Sequence, residues 1–413
     1  MRQDLSSAQI LDLLHHWRRD RYVINTANTC QALFFRSLFS SVDVVGLEDV
    51  ISRAKAGQTL VFIPNHQSEY DWMMLQTYLA RRYVRTAIQA GENLFVGPVD
   101  SFLRKCGAFM MIRDRRAFYG KHWFGNFANK LLGTRPLVIT KEQYNRLYLE
   151  QIKMVLREKL HLMIFPGYET SPTGDVKYGR SYSGEFAELS AYVFLVVNTA
   201  VRQIEIDNAF FVPVNISYER VPEDIVFREY QAKTRKTKIA KYVYDYYYTF
   251  IKAPITRRMR EQRCRVCVRF GEGVPADGSL RAREQARVVR HEMGKLTRVY
   301  ESTLLFASLD DHFRVSRSEL EKRIAQNLDR LEEHGMDTSP MYLHGRRLSL
   351  DAILERTARL FNYPRAPVIA SKAYTTLEYD DDNVFVRHPH LAAYYGNKLR
   401  HALEERPSTG EAA

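Results

Sequence analysis

Short apolar runs alternate with longer amphipathic stretches along residues 43–275. The short runs predict strands at TLVFIP, RTAIQA, GAFMMI, HLMIFP, FFVPVNIS and CRVCVRF. The longer stretches, notably KEQYNRLYLEQIKMVLREKL and EFAELSAYVFLVV, predict helices between those strands. Strands and helices in alternation are typical of an α/β domain in which helices flank a mostly parallel sheet.

Helical patterns extend on both sides of this α/β domain. The apolar pattern of residues 1–42 predicts an N-terminal helical segment. Within it, the stretch QALFFRSLFSSV fits either a helix packed on the core or one lying in a lipid interface. After the Gly/Pro-rich GEGVPADGS, residues 276–403 predict a C-terminal helical region that includes SRSELEKRIAQNLDRLEEHG and SLDAILERTARLF. Residues 404–413 predict a disordered tail.

The chain is basic, with 61 Lys and Arg against 48 Asp and Glu and a net charge of +13. This charge points to an anionic partner, which is nucleic acid, an acidic membrane surface or a phosphorylated substrate. Nucleic acid fits least, because aromatic residues do not interleave the basic runs as a stacking platform requires. Those runs, KTRKTKIAK and RRMREQRCR, fit solvated helix faces or a docking site for anionic lipid or an acidic carrier protein.

The cysteines and the apolar runs favour no disulfide framework, metal site or membrane span. Cys264 and Cys267 have CxxC spacing, but they lie in a predicted strand, where residues three apart point to opposite faces. No apolar run approaches the roughly 20 residues that cross a bilayer, and no signal sequence is evident. We therefore expect a cytoplasmic protein that binds no metal.

The segment IPNHQSEYDW carries the clearest candidate chemistry. It places His66 in a polar turn after an apolar strand, with Asp71 five residues later at the start of a predicted helix. An imidazole that deprotonates an alcohol needs a carboxylate to fix its tautomer and to stabilise the imidazolium. Taken alone, the pair fits equally a helix-start turn with a polar lining.

Three further motifs follow in a fixed order: GAFMMIRD, IFPGYETSPTGD and FVPVNISYE. With NHQSEYD they resemble, over residues 43–275, the glycerol-3-phosphate 1-acyltransferase branch of the glycerolphosphate acyltransferase family. The family motifs are an HxxxxD box, a G-A-F-hydrophobic-R segment, an F-x-E-G-x-R-S-x-[ST]-G loop and a V-P-V-x-I-x-Y-E strand. The resemblance implies acyl transfer from acyl-CoA or acyl-carrier protein as co-substrate, without a cofactor.

The resemblance also implies a role for individual residues. His66 would be the general base, oriented by Asp71, and the deprotonated hydroxyl would attack the thioester directly. Backbone amides around Gly167 would hold the oxyanion. Arg113 would bind the acceptor's phosphate through its guanidinium fork, although an exposed arginine at a strand end is the alternative for this residue.

The third motif departs from the family pattern Glu-Gly-x-Arg-Ser. The residues at these positions are Gly167, Tyr168, Glu169, Thr170 and Ser171. Thr170 stands where the family has an arginine that helps hold the phosphate, so the identity of the acceptor is open. Glu169 is a candidate substitute for the family's glutamate, and Lys177 or Arg180 for its positive charge.

The fourth motif places Pro213 at a strand end and Tyr218 and Glu219 beyond it, and we expect these residues mainly to shape the pocket. The leading hypothesis is acylation of glycerol-3-phosphate in phospholipid biosynthesis, by an enzyme peripheral on the inner face of the cytoplasmic membrane. One alternative is acylation of lysophosphatidate or a non-phosphorylated alcohol. Another is a non-catalytic lipid-binding protein on the same scaffold.

Overall fold

The computed structural model describes residues 18–91, 95, 98–111, 141–170, 176–178, 188–222, 251, 254–255, 262–309, 314–362 and 375–404. Within them, helices cover both faces of a mostly parallel sheet, which confirms the predicted α/β class. None of the helices in these ranges has the length and apolar character needed to cross a membrane.

The strands, in chain order, are β1 (Phe39–Val45), β2 (Thr59–Pro64), β3 (Thr86–Gly91), β4 (Ala108–Met111), β5 (His161–Met163), β6 (Gly167–Thr170), β7 (Val176–Tyr178), β8 (Glu188–Leu189), β9 (Ala209–Tyr218), β10 (Cys264–Phe270), β11 (Val274–Pro275), β12 (Arg314–Ser316), β13 (Tyr342–Leu343), β14 (Arg346–Arg347), β15 (Leu377–Tyr379) and β16 (Asn383–Val386). The central sheet has the order β1-β10-β9-β2-β5-β3-β4, and β11 pairs with β9. β9 is parallel to β2 and antiparallel to β10.

The helices are α1 (Asp20–Cys30), α2 (Leu47–Lys55), α3 (Asp71–Arg81), α4 (Pro98–Lys105), α5 (Lys141–Arg157), α6 (Ala191–Gln203), α7 (Ala282–Lys295), α8 (Glu301–Leu309), α9 (Arg317–Glu333), α10 (Leu350–Phe361), α11 (Pro389–Gly396) and α12 (Arg400–Glu404). A π-helical segment, Gln31–Phe35, continues α1, and a short helix, Arg36–Leu38, leads into β1. Ser316 caps α9 by accepting a hydrogen bond from the Glu319 N–H.

Buried apolar side chains fill the space on both faces of the sheet. On one face, Ile152 of α5, Phe194 of α6 and Val289 of α7 belong to one core cluster. On the other face, Leu79 of α3 shares a cluster with side chains of α8 to α11. The predicted C-terminal helical region therefore packs on the same core as the sheet. It also contains the short strands β12 to β16, of two to four residues each, too short for a periodic pattern to reveal.

The central strands explain where a site can form. In β2 every residue after Thr59 is buried, as expected of a parallel strand covered on both faces. β2 is parallel to β5 and to β9, so the carboxyl ends of β2 and β5 lie side by side. In open α/β sheets ligands bind beyond these carboxyl ends, and the HxxxxD turn follows β2 directly.

Candidate active site

The turn that carries His66 is fixed to the neighbouring strand β9. The Asn65 N–H donates to the Val214 carbonyl at 3.1 Å, and the Asn65 side chain accepts from the Ile216 N–H at 2.8 Å. The same side-chain amide donates to the Ile216 carbonyl at 3.2 Å. Asn65 thus continues the β2–β9 pairing beyond the strand and gives the turn a rigid base.

Asp71 is the first residue of α3, and its carboxylate is completely buried. Oδ2 accepts the backbone N–H groups of Gln67 and Ser68 at 2.6 and 2.9 Å. Oδ1 accepts the Tyr218 hydroxyl at 2.7 Å. A buried carboxylate is stable only when hydrogen bonds replace its water, and these three donors supply such bonds.

His66 completes the set of groups around this carboxylate. Its Nδ1 lies 3.0 Å from Asp71 Oδ2, and its ring lies 4.8 Å from the Phe165 ring, centroid to centroid. Because the carboxylate can only accept, Nδ1 carries the proton and Nε2 is the nitrogen available to act as a base. The His66 side chain is 19% exposed, so it is not sealed from solvent.

The third motif lies beside His66, as its place after β5 predicts. Phe165 and the buried Gly167 follow β5, and β6 then pairs antiparallel with β7 and β8. The sequence predicted a loop here, but Gly167–Thr170 is a strand in which Glu169 stands in register with Lys177. The proposed oxyanion role of the backbone around Gly167 stays a prediction.

Several predicted substrate-binding residues fall outside what the structure describes. Arg113, Ser171 and Arg180 lie outside the described residues, and the predicted roles of Glu169, Thr170 and Lys177 rest on side chains of which nothing is described. The second motif is described as far as Met111, the last residue of β4. The roles assigned to these residues therefore stay predictions.

The fourth motif does more than the expected shaping of the pocket. Tyr218, at the end of β9, holds the carboxylate of Asp71, and Glu219 accepts from the Arg265 guanidinium at 2.7 Å. A tyrosine at the end of an apolar strand needs a hydrogen-bond partner for its hydroxyl. This need was the one sign in the sequence that Tyr218 contacts a polar group. The role of Asn65 had no such signal, because it depends on the pairing of β2 with β9.

The cysteines with CxxC spacing, Cys264 and Cys267, are both buried in β10. Among the residues described, no group of three or more His, Cys, Asp or Glu side chains is arranged to hold a metal ion.

A histidine oriented by a buried carboxylate, at the carboxyl edge of a parallel sheet, is an arrangement that can act as a general base on a hydroxyl. Residues 41–217 match the family model described as Acyltransferase. The match confirms the acyltransferase resemblance drawn from the four motifs.

Curated relatives point to one branch of the family. A glycerol-3-phosphate acyltransferase of Pseudomonas paraeruginosa is 27% identical over 260 residues, which cover 62% of this chain and 26% of the relative. A glycerol-3-phosphate acyltransferase of Histophilus somni is 29% identical over 190 residues, covering 46% of this chain and 19% of the relative. The chain thus matches about a quarter or less of the length of these relatives.

Proposed function

We propose that this chain transfers a fatty acyl group from acyl-CoA or acyl-carrier protein to the hydroxyl of glycerol-3-phosphate. The observation that carries the proposal is the buried Asp71 carboxylate bound to His66 Nδ1 within the segment that matches the acyltransferase family model. The relatives named glycerol-3-phosphate acyltransferase support this acceptor.

The reaction needs one proton moved twice. His66 Nε2 takes the proton of the acceptor hydroxyl as the oxygen attacks the thioester carbonyl, and Asp71 stabilises the imidazolium that forms. The tetrahedral intermediate collapses by breaking the carbon–sulfur bond, and the imidazolium returns the proton to the leaving thiolate. The products are an ester and a free thiol, without a covalent acyl-enzyme.

The acceptor would be held by residues of the second and third motifs. Arg113 is proposed to bind the phosphate, assisted by Lys177 or Arg180 in place of the family arginine. Backbone amides near Gly167 are proposed to stabilise the oxyanion. Their support is the resemblance, together with Phe165, which brings the third motif against His66.

A second acceptor class has an observation in its favour. Thr170 replaces the arginine that the family uses on the phosphate, and Gly167 stands where the family has glutamate. A third motif without this arginine suits a non-phosphorylated alcohol better than glycerol-3-phosphate. Lysophosphatidate, which keeps a phosphate group, is the other alternative acceptor.

Catalysis is proposed to take place at the inner face of the cytoplasmic membrane. The net charge of +13 supports attraction to anionic lipid. Leu33, in the π-helical segment after α1, is 59% exposed, and the adjacent Phe34 packs on Tyr70 of the HxxxxD turn at 6.0 Å. An exposed apolar residue so close to the turn suits a site that receives fatty acyl chains.

An acyl-transfer assay on a panel of acceptors tests the proposal. Labelled acyl-CoA and acyl-carrier protein are each offered with glycerol-3-phosphate, lysophosphatidate and glycerol, with and without phosphatidylglycerol vesicles. Ester formation on glycerol-3-phosphate, faster with vesicles, is the expected result. Transfer only to another alcohol would refute glycerol-3-phosphate as the acceptor but would still support acyl transfer as the reaction. No transfer to any acceptor would favour a lipid-binding protein.

A further inference from the structure

The C-terminal layer, defined as helices α8 to α12 with the turn Asn397–Leu399 between α11 and α12, lies outside the segment that matches the acyltransferase family. It nevertheless contacts the end of β9, the strand that carries Tyr218. The Tyr395 hydroxyl accepts the Val221 N–H at 2.8 Å, and the Ser302 hydroxyl donates to the Glu219 carbonyl at 2.8 Å.

Charged side chains strengthen the same contact. The buried guanidinium of Arg220 binds the carbonyl of Leu360 and lies 4.9 Å from the centre of the Phe361 ring. Arg265 of β10 binds both Glu219 and the buried Glu301 of α8. The layer is therefore attached to the strand end next to the active site by specific polar contacts as well as by apolar packing.

One side chain of the layer reaches the HxxxxD turn itself. Lys398 is 4% exposed, and its ammonium donates to the side-chain oxygen of Gln67 at 2.8 Å. The ammonium also lies 5.1 and 4.6 Å from the ring centres of Tyr394 and Tyr395. Gln67 is the residue after His66, and its backbone N–H makes the 2.6 Å bond to Asp71.

A buried ammonium is costly for folding, and an apolar side chain of similar length would fill this position without that cost. The cation–π contacts and the Gln67 bond offset part of the cost. The Gln67 bond reaches the turn, and it fixes the side chain of the residue whose backbone N–H donates to the Asp71 carboxylate. The lysine thus gives the turn a rigidity that apolar packing alone would not provide.

We infer that the C-terminal layer completes the acyl-transfer site, with Lys398 as a positioning residue that holds the His66–Asp71 turn through Gln67. This inference rests on the proposed function for its kinetic consequence. Its structural consequence, an ordered Gln67 N–H, does not depend on any activity.

The test compares Lys398→Met with a control, Ser302→Ala. Methionine keeps an unbranched, flexible side chain that is one heavy atom shorter, and it removes the donor. Ser302→Ala removes one bond between the layer and Glu219, the residue after β9, and leaves the turn untouched. Hydrogen exchange of the peptide that contains Gln67 and Ser68 is measured together with kcat and KM for acyl transfer. Gln67→Leu and the double variant complete a cycle and provide a second route should Lys398→Met fail to fold.

We expect Lys398→Met to lower kcat by about tenfold and to leave KM within about twofold of the wild type. A slightly displaced base raises the activation free energy of the proton transfer. Amide exchange in the turn should become at least about tenfold faster. Ser302→Ala should match the wild type in both measurements. The double variant should have a kcat no lower than that of either single variant, because both single substitutions remove the same Lys398–Gln67 hydrogen bond.

Equal kcat and equal exchange in Lys398→Met and Ser302→Ala would overturn the inference and leave the proposed function standing. Losses of kcat that multiply in the double variant would also overturn it. If the wild type transfers no acyl group, the proposed function fails, and amide exchange alone decides whether Lys398 holds the turn.

Discussion

Asp71→Asn separates the charge of the carboxylate from its shape. In the wild type, His66 Nδ1 and the N–H groups of Gln67 and Ser68 all point at Oδ2, and the Tyr218 hydroxyl points at Oδ1. An asparagine oxygen can replace Oδ2 and accept the same three N–H groups. Its amide nitrogen can donate to the Tyr218 oxygen once that hydroxyl rotates. We therefore expect a folded variant whose free energy of unfolding changes by no more than about 1 kcal/mol.

The substitution should destabilise the transition state, in which the imidazolium forms beside the carboxylate. With Nδ1 and Oδ2 3.0 Å apart, the charge centres are about 4 Å apart, and unit charges at that distance attract by about 4 kcal/mol at an effective dielectric constant of about 20. A neutral amide recovers little of this attraction. A loss of about 3–4 kcal/mol corresponds to a kcat lower by roughly 10²–10³.

The assay is steady-state acyl transfer, with urea unfolding measured on the same preparation. Asp337→Asn is a matched control, because Asp337 is also a largely buried carboxylate but forms an ion pair with Arg298 and does not contact the described active-site residues. The control should keep the wild-type kcat. A folded Asp71→Asn variant with kcat within about threefold of the wild type would show that the pair is structural and would refute the reasoning.

Two further predictions concern Tyr218 and His161. Tyr218→Phe removes the 2.7 Å donor to Asp71 Oδ1, so urea unfolding should show a loss of about 2 kcal/mol, with kcat only about tenfold lower because His66 binds Oδ2. An unchanged free energy of unfolding would contradict this. Burial lowers the pKa of His161 from 6.5 to about 4, so between these values only the unfolded state binds the proton, and stability falls as pH falls. From pH 7 to pH 5 the wild type should lose about 2 kcal/mol more than His161→Asn, and equal losses in urea unfolding would refute it.

The sequence predicted the central strands because each is a short, mainly apolar run, and it predicted the His66–Asp71 pair because the two residues are only five positions apart. It could not reveal the bond between Tyr218 and Asp71, since these residues are 147 positions apart and meet only through the pairing of β2 with β9. The contact of Lys398 with Gln67 spans 331 positions and has no motif.

The third motif shows a different limit of the sequence. Its Gly, Ser and Thr content is typical of a loop, yet Gly167–Thr170 forms a strand because β7 and β8 offer it partners. Strand formation in such a segment depends on partners outside it, which local composition does not encode.

The most direct test of the central claim compares ester formation by the wild type and His66→Ala, using labelled acyl thioester and glycerol-3-phosphate. His161→Asn serves as a control, because His161 binds the Leu60 N–H of β2 through Nδ1 and takes no part in the proposed chemistry. The account predicts transfer by the wild type and the control, and a rate at least about 10³-fold lower for folded His66→Ala. Retention of more than about a few percent of the wild-type rate by His66→Ala would contradict the assignment of His66 as the base.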